Sequence, residues 1–426
     1  MNFIMEIAMK ALILNLDPKN KGNEALVSST KFVINQFEDD IKFINMGGMI
    51  DAINSQNTII PLPAETILNP NAWLYLLECF IVKILRRYGF KASLPTISRI
   101  HIYDDVDVVI NSGGDYLSGE KFTLSGFLNI IYALWLDKPV VLFAESLGYY
   151  RYLLNRITAR YVFENVNLIL VREDLSKEYL LKIGIDPEKI HVTADPAFLL
   201  SPAPRSRIDE ILRSESIIIT SRPVIGINPS GLIGRYRDPA ESEEAYTQSM
   251  VSVIDHLIKS WDVNVLLIPH VYTPGSDDRR IIGEIIKNAN NPQRIFQIKN
   301  EYSAAELKGI IQLCDIFIGS RMHATIAATS LCIPTVGIAY SHKMNGILGG
   351  LLDMDQYIIK ISQLNDTRLI EIADLVWSNR TAIKEHLEET MPRVKEKALL
   401  NGYYFSKFLK NLESNRASHS NQQNER

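Results

Sequence analysis

Two doubly wound α/β halves in one chain are predicted by three observations. Short apolar runs alternate with amphipathic helical stretches along most of the 426 residues, and strand–helix alternation is the signature of a parallel sheet covered on both faces. The alternation is diluted once, over Ser201–Ser221, where Pro202, Pro204, Ser206 and Ser214 interrupt it, and then resumes. Polar and glycine-rich residues gather at the carboxyl ends of the predicted strands, where doubly wound sheets bind ligands.

In the first half the strands are Ala11–Leu16, Ile41–Asn45, Val106–Asn111, Val140–Ala144, Leu168–Val171 and Ile190–Thr193, with helices such as Asn23–Asn35, Leu124–Leu136 and Asp174–Ile183 between them. Ile208–Leu212 is a candidate short helix at the crossing. In the second half the strands are Val224–Asn228, Val263–Ile268, Ile295–Ile298, Ile316–Ile318, Thr335–Ile338 and Tyr357–Ile359. Helices Ser242–Ser260, Asp277–Ala289, Ala304–Leu313 and Ala324–Ser330 separate them. The expected domains are 1–205 and 220–365, with helices over 366–412 crossing back to the first domain and a disordered tail at 413–426, which has little to bury.

Composition narrows the function classes. Hydrophobic residues make up 46% and charged residues 22%, as in a globular protein with a sizeable core. A net charge of −4 argues against a general nucleic-acid binder, and any anion site must be locally positive. Cys79, Cys314 and Cys332 sit in apolar runs with no CxxC pair or Cys/His cluster, so neither a zinc site nor a disulfide framework is expected, and a reducing, cytoplasmic compartment is the simplest setting. Met1–Lys10 does not read as a signal peptide; with a strand beginning near Lys10, Met5 or Met9 would serve as a start as well as Met1. The stretch from Trp73 to Leu85 is too short to span a bilayer. It reads as a buried or inter-domain helix, or, with Arg86, Arg87 and Lys91 behind it, as a helix lying on a membrane surface over 73–91.

The strand ends carry the candidate chemistry. In the first half they bear Asn20-Lys-Gly-Asn-Glu-Ala with Gly22 and Glu24, Asn111-Ser-Gly-Gly-Asp with Gly113, Gly114 and Asp115, then Glu145-Ser146 and Arg172-Glu173. In the second they bear Asn228-Pro-Ser-Gly with Ser230, Pro269-His270, Ser320-Arg-Met-His and Tyr340-Ser-His-Lys343. Arg321-Met322-His323 falls where a helix begins. Free N–H groups, a positive dipole end, a guanidinium fork and an imidazole on one loop describe a site for phosphate or carboxylate. An ion pair for Arg321 and a capping role for His323 are the alternatives. Together these loops form two polar sets expected to face a common inter-domain cleft.

With those motifs in order, the chain resembles the polysaccharide pyruvyl transferase family from Lys10 to about Gly349. The pieces are Asn20-Lys-Gly-Asn-Glu-Ala, Asp107-Val-Val-Ile-Asn-Ser-Gly-Gly-Asp, Val171-Arg-Glu-Asp-Leu-Ser, Val192-Thr-Ala-Asp-Pro-Ala, Gly226-Ile-Asn-Pro-Ser, Ile268-Pro-His, Ser320-Arg-Met-His-Ala and Pro334-Thr-Val-Gly-Ile-Ala-Tyr with Lys343. Asn23 stands where an Asp is common and Met322 where Leu is usual. The resemblance implies a GT-B-like fold and transfer of pyruvate from phosphoenolpyruvate to a sugar. It implies donor contacts from Arg172, Arg321, His323 and the Met322 backbone, with His270 and Lys343 beside them.

Ketal formation needs a proton for the methylene carbon, a base for the sugar hydroxyl and charge stabilisation. His323 is the candidate acid, and Asp115 and Glu145 are candidate bases, with turn caps or ion pairs to Arg172 as their other reading. Asn20, Gly22, Glu24, Gly113, Gly114 and Ser230 are expected in acceptor or cleft loops. No metal and no cofactor beyond the donor substrate is expected. The expected partners are phosphoenolpyruvate and a free or lipid-linked glycan, at the cytoplasm or its membrane face. A nucleotide-sugar glycosyltransferase and a non-catalytic member of a glycan assembly complex are the alternatives.

Overall fold

The computed structural model describes residues 9–47, 59–61, 70–93, 101–114, 117, 125–218, 221–231, 243–340 and 342–424. Asp115 lies outside the described residues. The first series runs β1 (Met9–Leu16), α1 (Lys21–Ile34), β2 (Ile41–Gly47), β3 (Ile59–Pro61), α2 (Pro70–Arg87), β4 (Val108–Gly114), α3 (Ser125–Trp135), β5 (Val140–Glu145), α4 (Leu153–Asn165), β6 (Leu168–Val171), α5 (Asp174–Lys182) and β7 (Ile190–Val192). Its strands form one sheet in the order β3-β2-β1-β4-β5-β6-β7, parallel throughout.

The second series runs α6 (Arg205–Ser214), β8 (Val224–Asn228), α7 (Glu243–Trp261), β9 (Asn264–Leu267), α8 (Asp278–Asn288), β10 (Ile295–Gln297), α9 (Ala304–Ile311), β11 (Ile316–Gly319), α10 (Met322–Ser330), β12 (Thr335–Ala339), α11 (His342–Met344), β13 (Ile358–Lys360), α12 (Asp366–Ser378) and α13 (Arg380–Asn424). Its sheet has the order β10-β9-β8-β11-β12-β13, again parallel. In both sheets the winding reverses between the first strand and the fourth, so β1/β4 and β8/β11 are the switch points at which such sheets bind ligands. Every position of β5, β8, β11 and β12 is buried. Strands covered on both faces read as unbroken apolar runs, which is why the sequence showed them.

The chain divides into two compact units. The first contains the segment ending at Asp17, Leu26–Pro196 and everything from Lys397 on; the second contains Pro18–Ala25 and Ala197–Glu396. This corrects the expected boundaries in three places. Residues 18–25 belong with the second unit, because their backbone pairs there: Asn20 bridges Val271, Lys21 N–H donates to the His270 carbonyl, and Tyr272 N–H donates to the Lys19 carbonyl. The return to the first unit comes midway along α13 and not at 366. Finally, α13 runs through Asn424, so most of the stretch expected to be disordered is helical. Extending a helix that packing has already nucleated is far easier than starting one.

From Lys397 on, α13 completes the first unit. Asn401 Nδ2 donates to the Ala194 carbonyl at 2.8 Å and its Oδ1 accepts from Thr193 Oγ1 at 2.8 Å. Phe405 meets Phe143 edge to face at 6.2 Å. A side chain at Gly402 would stand 2.5 Å from the Val33 carbonyl, so only glycine lets α13 lie this close to α1. The sequence pattern missed β3, three residues long, and α4. Leu153, Leu154, Ile157 and Tyr161 are exposed on α4 while Ala159, Val162 and Phe163 are buried; apolar residues on both faces blur the helical period.

Candidate active site

In the second unit the carboxyl ends of β8, β9 and β11 meet at one buried carboxylate. Asp278, in the first turn of α8, is fully buried. It accepts from the backbone N–H groups of His270 and Val271, both at 3.0 Å, and more weakly from Gly231 at 3.4 Å. Its other strong partner is Arg321, whose Nη2 donates to it at 2.6 Å and to the Ser276 carbonyl at 3.3 Å. Asn228, at the end of β8, fixes the same loops. Its Nδ2 donates to the Ile268 carbonyl at 2.9 Å, and its Oδ1 accepts from Arg321 N–H at 3.0 Å. The loop before α10 is therefore held by side chains on either hand before any ligand arrives.

Two buried polar atoms here have no hydrogen-bond partner, Arg321 Nε and His270 Nδ1. Arg321 is 7% exposed and His270 3%. A buried polar group left unmatched costs free energy, and native folds leave few of them, so such atoms point to a ligand. Burial, followed by the positive charges of His323, Arg321 and Lys21, pushes the His270 imidazole down to about 3. It is neutral near pH 7 and offers one donor and one acceptor. Lys343 follows β12 in α11 and is buried, which pushes its ammonium down to about 7. Its neighbour Met344 touches Thr325 of α10, with Thr325 Oγ1 3.6 Å from the sulfur. Tyr246 hydroxyl bonds Ser320 Oγ at 3.0 Å and accepts from Ser230 N–H at 3.4 Å, tying Ser230 to the α10 loop.

The turn after β1 and the first turn of α1 complete this end of the second unit. A Cβ on Gly22 would fall 2.9 Å from His323 Cγ and nearer still to Nδ1. His323 therefore packs closely against Gly22, and a side chain at residue 22 would displace it. Asn20 Oδ1 accepts from Gly22 N–H at 3.1 Å. Lys21 is buried and its ammonium reaches Glu301 at 2.8 Å and Glu24 at 3.0 Å, while the other oxygen of Glu24 caps α9 through Ala304 N–H at 3.0 Å. Asn20, Gly22 and Glu24, expected in acceptor or cleft loops, thus stand with His323 in the second unit. Met322 and His323 open α10 and are half-buried.

Arg172, Glu145, Gly113 and Gly114 belong to the first unit. Arg172 is 2% exposed. Its Nη1 pairs with Asp195, its Nε donates to Ser146 Oγ at 2.7 Å, and its Nη2 makes a long bond to the Gly114 carbonyl at 3.4 Å. Each of the three guanidinium nitrogens has a partner inside the unit. Gly114 takes φ +119°, a conformation that favours glycine. Glu145 is wholly buried and accepts from Asn111 Nδ2, while its second oxygen has no hydrogen-bond partner. Burial pushes its carboxyl up to about 8, against the opposing bond from Asn111 and charge of Arg172, so near pH 7 it holds its proton. The sequence reading missed Asp278 and gave Asn228 no role. The Asp277-Asp278 pair reads as a helix start, which it also is: Asp277 caps α8 through Arg279 N–H.

Two units of this winding in one chain define a GT-B-like α/β protein. S. aureus MnaA in its UDP co-structure shares the fold with a TM-score of 0.60 at 13% identity, over 95% of this chain and 97% of that one. UDP-GlcNAc 2-epimerase from Neisseria meningitidis, bound to UDP-GlcNAc, shares it with a TM-score of 0.60 at 12% identity, over 95% and 100%. The sequence profile of the polysaccharide pyruvyl transferase family matches residues 20–342, so the chain belongs to that family and is a transferase. It is also similar to the amylovoran biosynthesis protein AmsJ of Erwinia amylovora, at 25% identity over 333 residues, covering 75% of this chain and 77% of that protein.

Proposed function

We propose that the protein transfers pyruvate from phosphoenolpyruvate to two hydroxyls of one sugar in a glycan precursor, forming a cyclic ketal and releasing phosphate. The observation that carries this reading is the pair of partnerless buried atoms, Arg321 Nε and His270 Nδ1, beside the opening turn of α10. The donor has a phosphate and a carboxylate, and a guanidinium, a neutral imidazole, a helix N-terminus and Lys343 suit two anionic groups. The Met322 backbone at that N-terminus faces the same charge.

In this reading a proton goes to the methylene carbon of the donor and one sugar hydroxyl oxygen bonds the neighbouring carbon. The C–O bond to phosphate breaks, and a second hydroxyl closes the ring. Of the two hydroxyl protons, one balances the new methyl hydrogen and the other leaves with phosphate. We assign His323 the role of acid, which its close packing against Gly22 supports. Arg172 keeps a positioning role in the first unit. A polysaccharide precursor as acceptor is what the family supports; the cytoplasmic side is our proposal for the setting.

Incubation of the purified protein with phosphoenolpyruvate and a panel of free and lipid-linked glycosides tests this. Phosphate release that depends on an acceptor, with pyruvate found on that acceptor by mass spectrometry, is expected. Thermal stabilisation by UDP-sugars and none by phosphoenolpyruvate would instead establish a nucleotide-sugar donor. A saturating ligand at about 100 Kd should contribute roughly 2.7 kcal/mol, well within reach of a melting assay.

A further inference from the structure

In the first unit α2, α3 and α4 pack side by side over one face of the sheet, and their inner faces build its core. Tyr75, Cys79 and Val82 of α2 join Phe127, Ile130 and Tyr132 of α3 and Ala159, Val162 and Phe163 of α4 in a single buried cluster. Three such helices need nothing more on their outer side than polar residues. Instead α2 presents Trp73, Leu74, Leu77, Phe80, Ile81 and Ile84 to solvent, with exposures from 38% to 60%. Leu153, Leu154 and Ile157 of α4 are 52% to 65% exposed. Trp135 of α3 joins the two rows: it meets Phe80 at 6.1 Å on one side and donates its indole N–H to Tyr161 at 3.0 Å on the other. The result is one continuous apolar surface across three helices. Monomeric proteins rarely expose contiguous apolar patches of more than a few hundred Å² without a use for them.

The charges around this surface have one dominant sign. Residues 70–93 carry Lys83, Arg86, Arg87 and Lys91 against Glu78, and 149–165 carry Arg151, Arg156 and Arg160 against Glu164, in a chain whose net charge is −4. Arg86 is set aside because it is built into the fold, bonded to Asp104, the Ala92 carbonyl and the Leu136 carbonyl. Arg87, Lys91, Arg151 and Arg156 are exposed. Aromatic rings stand at the margins, with Tyr88 76%, Phe90 63% and Tyr152 43% exposed. An apolar face with a basic border and aromatic margins matches the interface of an anionic bilayer. A second copy of the chain on this face would set basic border against basic border. Among the described residues no helix is long and apolar enough to cross a membrane, so this contact lies in the surface plane.

We propose that the outer face of α2, α3 and α4 docks the first unit onto an anionic lipid surface. The apolar rows enter the headgroup–acyl boundary, and Arg87, Lys91, Arg151 and Arg156 meet the lipid phosphates. Glycan precursors carried on lipid would then be met at the membrane plane. This proposal does not depend on which group the enzyme transfers.

The test is co-sedimentation of the full chain with vesicles of phosphatidylcholine alone and with about one third phosphatidylglycerol, at low and high salt. Binding to the anionic vesicles that weakens with salt is expected. The double variant Leu77→Glu/Leu154→Glu should abolish it, and Arg87→Gln with Lys91→Gln should weaken partitioning by about five-fold per residue. All four positions are exposed, so the melting temperature and activity on a soluble acceptor should stay as in wild type. That separates failure of this proposal from failure of the pyruvyl-transfer reading. Unchanged vesicle binding by the double variant overturns the proposal. So does wild-type protein that ignores anionic vesicles, or one that sediments as a dimer which the double variant dissociates.

Discussion

At the residue scale, Arg321 is placed by Asp278 and Asn228 and keeps Nε in reserve. Arg321→Lys retains a cation for Asp278 but removes the planar fork and the free donor. Donor affinity or kcat/KM should fall on the order of 10- to 150-fold, the equivalent of about 1.5–3 kcal/mol, with the melting temperature little changed. Near-normal steady-state kinetics for this variant would reduce Arg321 to a strut. His323→Ala should depress kcat more than it raises KM if the imidazole delivers a proton, and a rise in KM alone would mark a phosphate contact. Glu145 makes a separate prediction. In the fold it keeps its proton up to about pH 8, whereas a free carboxyl loses it near 4.5. The folded state binds the extra proton across that window, so this group's contribution to stability is lost as pH rises from about 4.5 to 8 and is constant above. Glu145→Gln, neutral at every pH, should therefore gain on wild type by up to a few kcal/mol between pH 5 and about 8.5. The comparison is made variant against wild type because Lys343, with its ammonium pushed down to about 7, acts in the opposite direction above that pH. Parallel melting-temperature curves for the two proteins would show that Glu145 is ionised.

At the scale of elements, the 18–25 segment matters most. It carries Gly22 against His323 and pairs along residues 270–272. Gly22→Ala should push the imidazole off its seat. The blocking atoms are the near edge of the imidazole, so the ring must leave its place to admit the methyl group. Loss of kcat on the order of 100-fold is expected, with a cooperative melt retained; an Ala variant with wild-type kcat would show that His323 has no fixed position to lose. This segment also shows where the sequence stops being readable. Strands were legible because burial on both faces makes an unbroken apolar run, as in β5 and β11, and the Arg321–His323 loop was legible because cations at a helix start are unusual. Which unit a loop joins was not legible, since backbone pairing between Asn20 and Val271 leaves no trace in side-chain pattern. Asp278 was hidden for a related reason: an acid in the first turn of a helix is ordinary, and the partners that give it a role, Gly231 and Arg321, lie 47 and 43 residues away. The helix α4 was obscured by the exposed apolar residues that now suggest a lipid contact.

At the scale of the whole chain, neither unit is a single stretch of sequence. The first takes its last helical turns from beyond Lys397, and the second takes residues 18–25 from before the first unit is complete. Each borrowed piece is integrated into a core or a site. Ala398, Asn401 and Phe405 are fully buried and Leu409 nearly so, and Lys21 is a buried cation whose partners include Glu301. Phe405→Ala alone should cost about 3–5 kcal/mol, which for a unit of this size lowers the melting temperature on the order of 10 °C. Ending the chain at Glu396 removes all four side chains together and bares the Thr193 hydroxyl and the Ala194 carbonyl that Asn401 holds, a loss comparable with the whole stability of a domain, about 5–15 kcal/mol. A chain ending there should therefore keep the second unit's transition near its wild-type temperature and lose the first unit's or show it far lower, so that the unfolding enthalpy absorbed near the wild-type temperature falls. Adding the 397–424 peptide in trans should restore part of the lost transition, because the contacts it makes are local to one unit. Calorimetry of the truncated chain with and without the peptide decides the matter. An undiminished unfolding enthalpy at the wild-type temperature after truncation would show that the last turns of α13 are an appendage and that the first unit ends at Pro196.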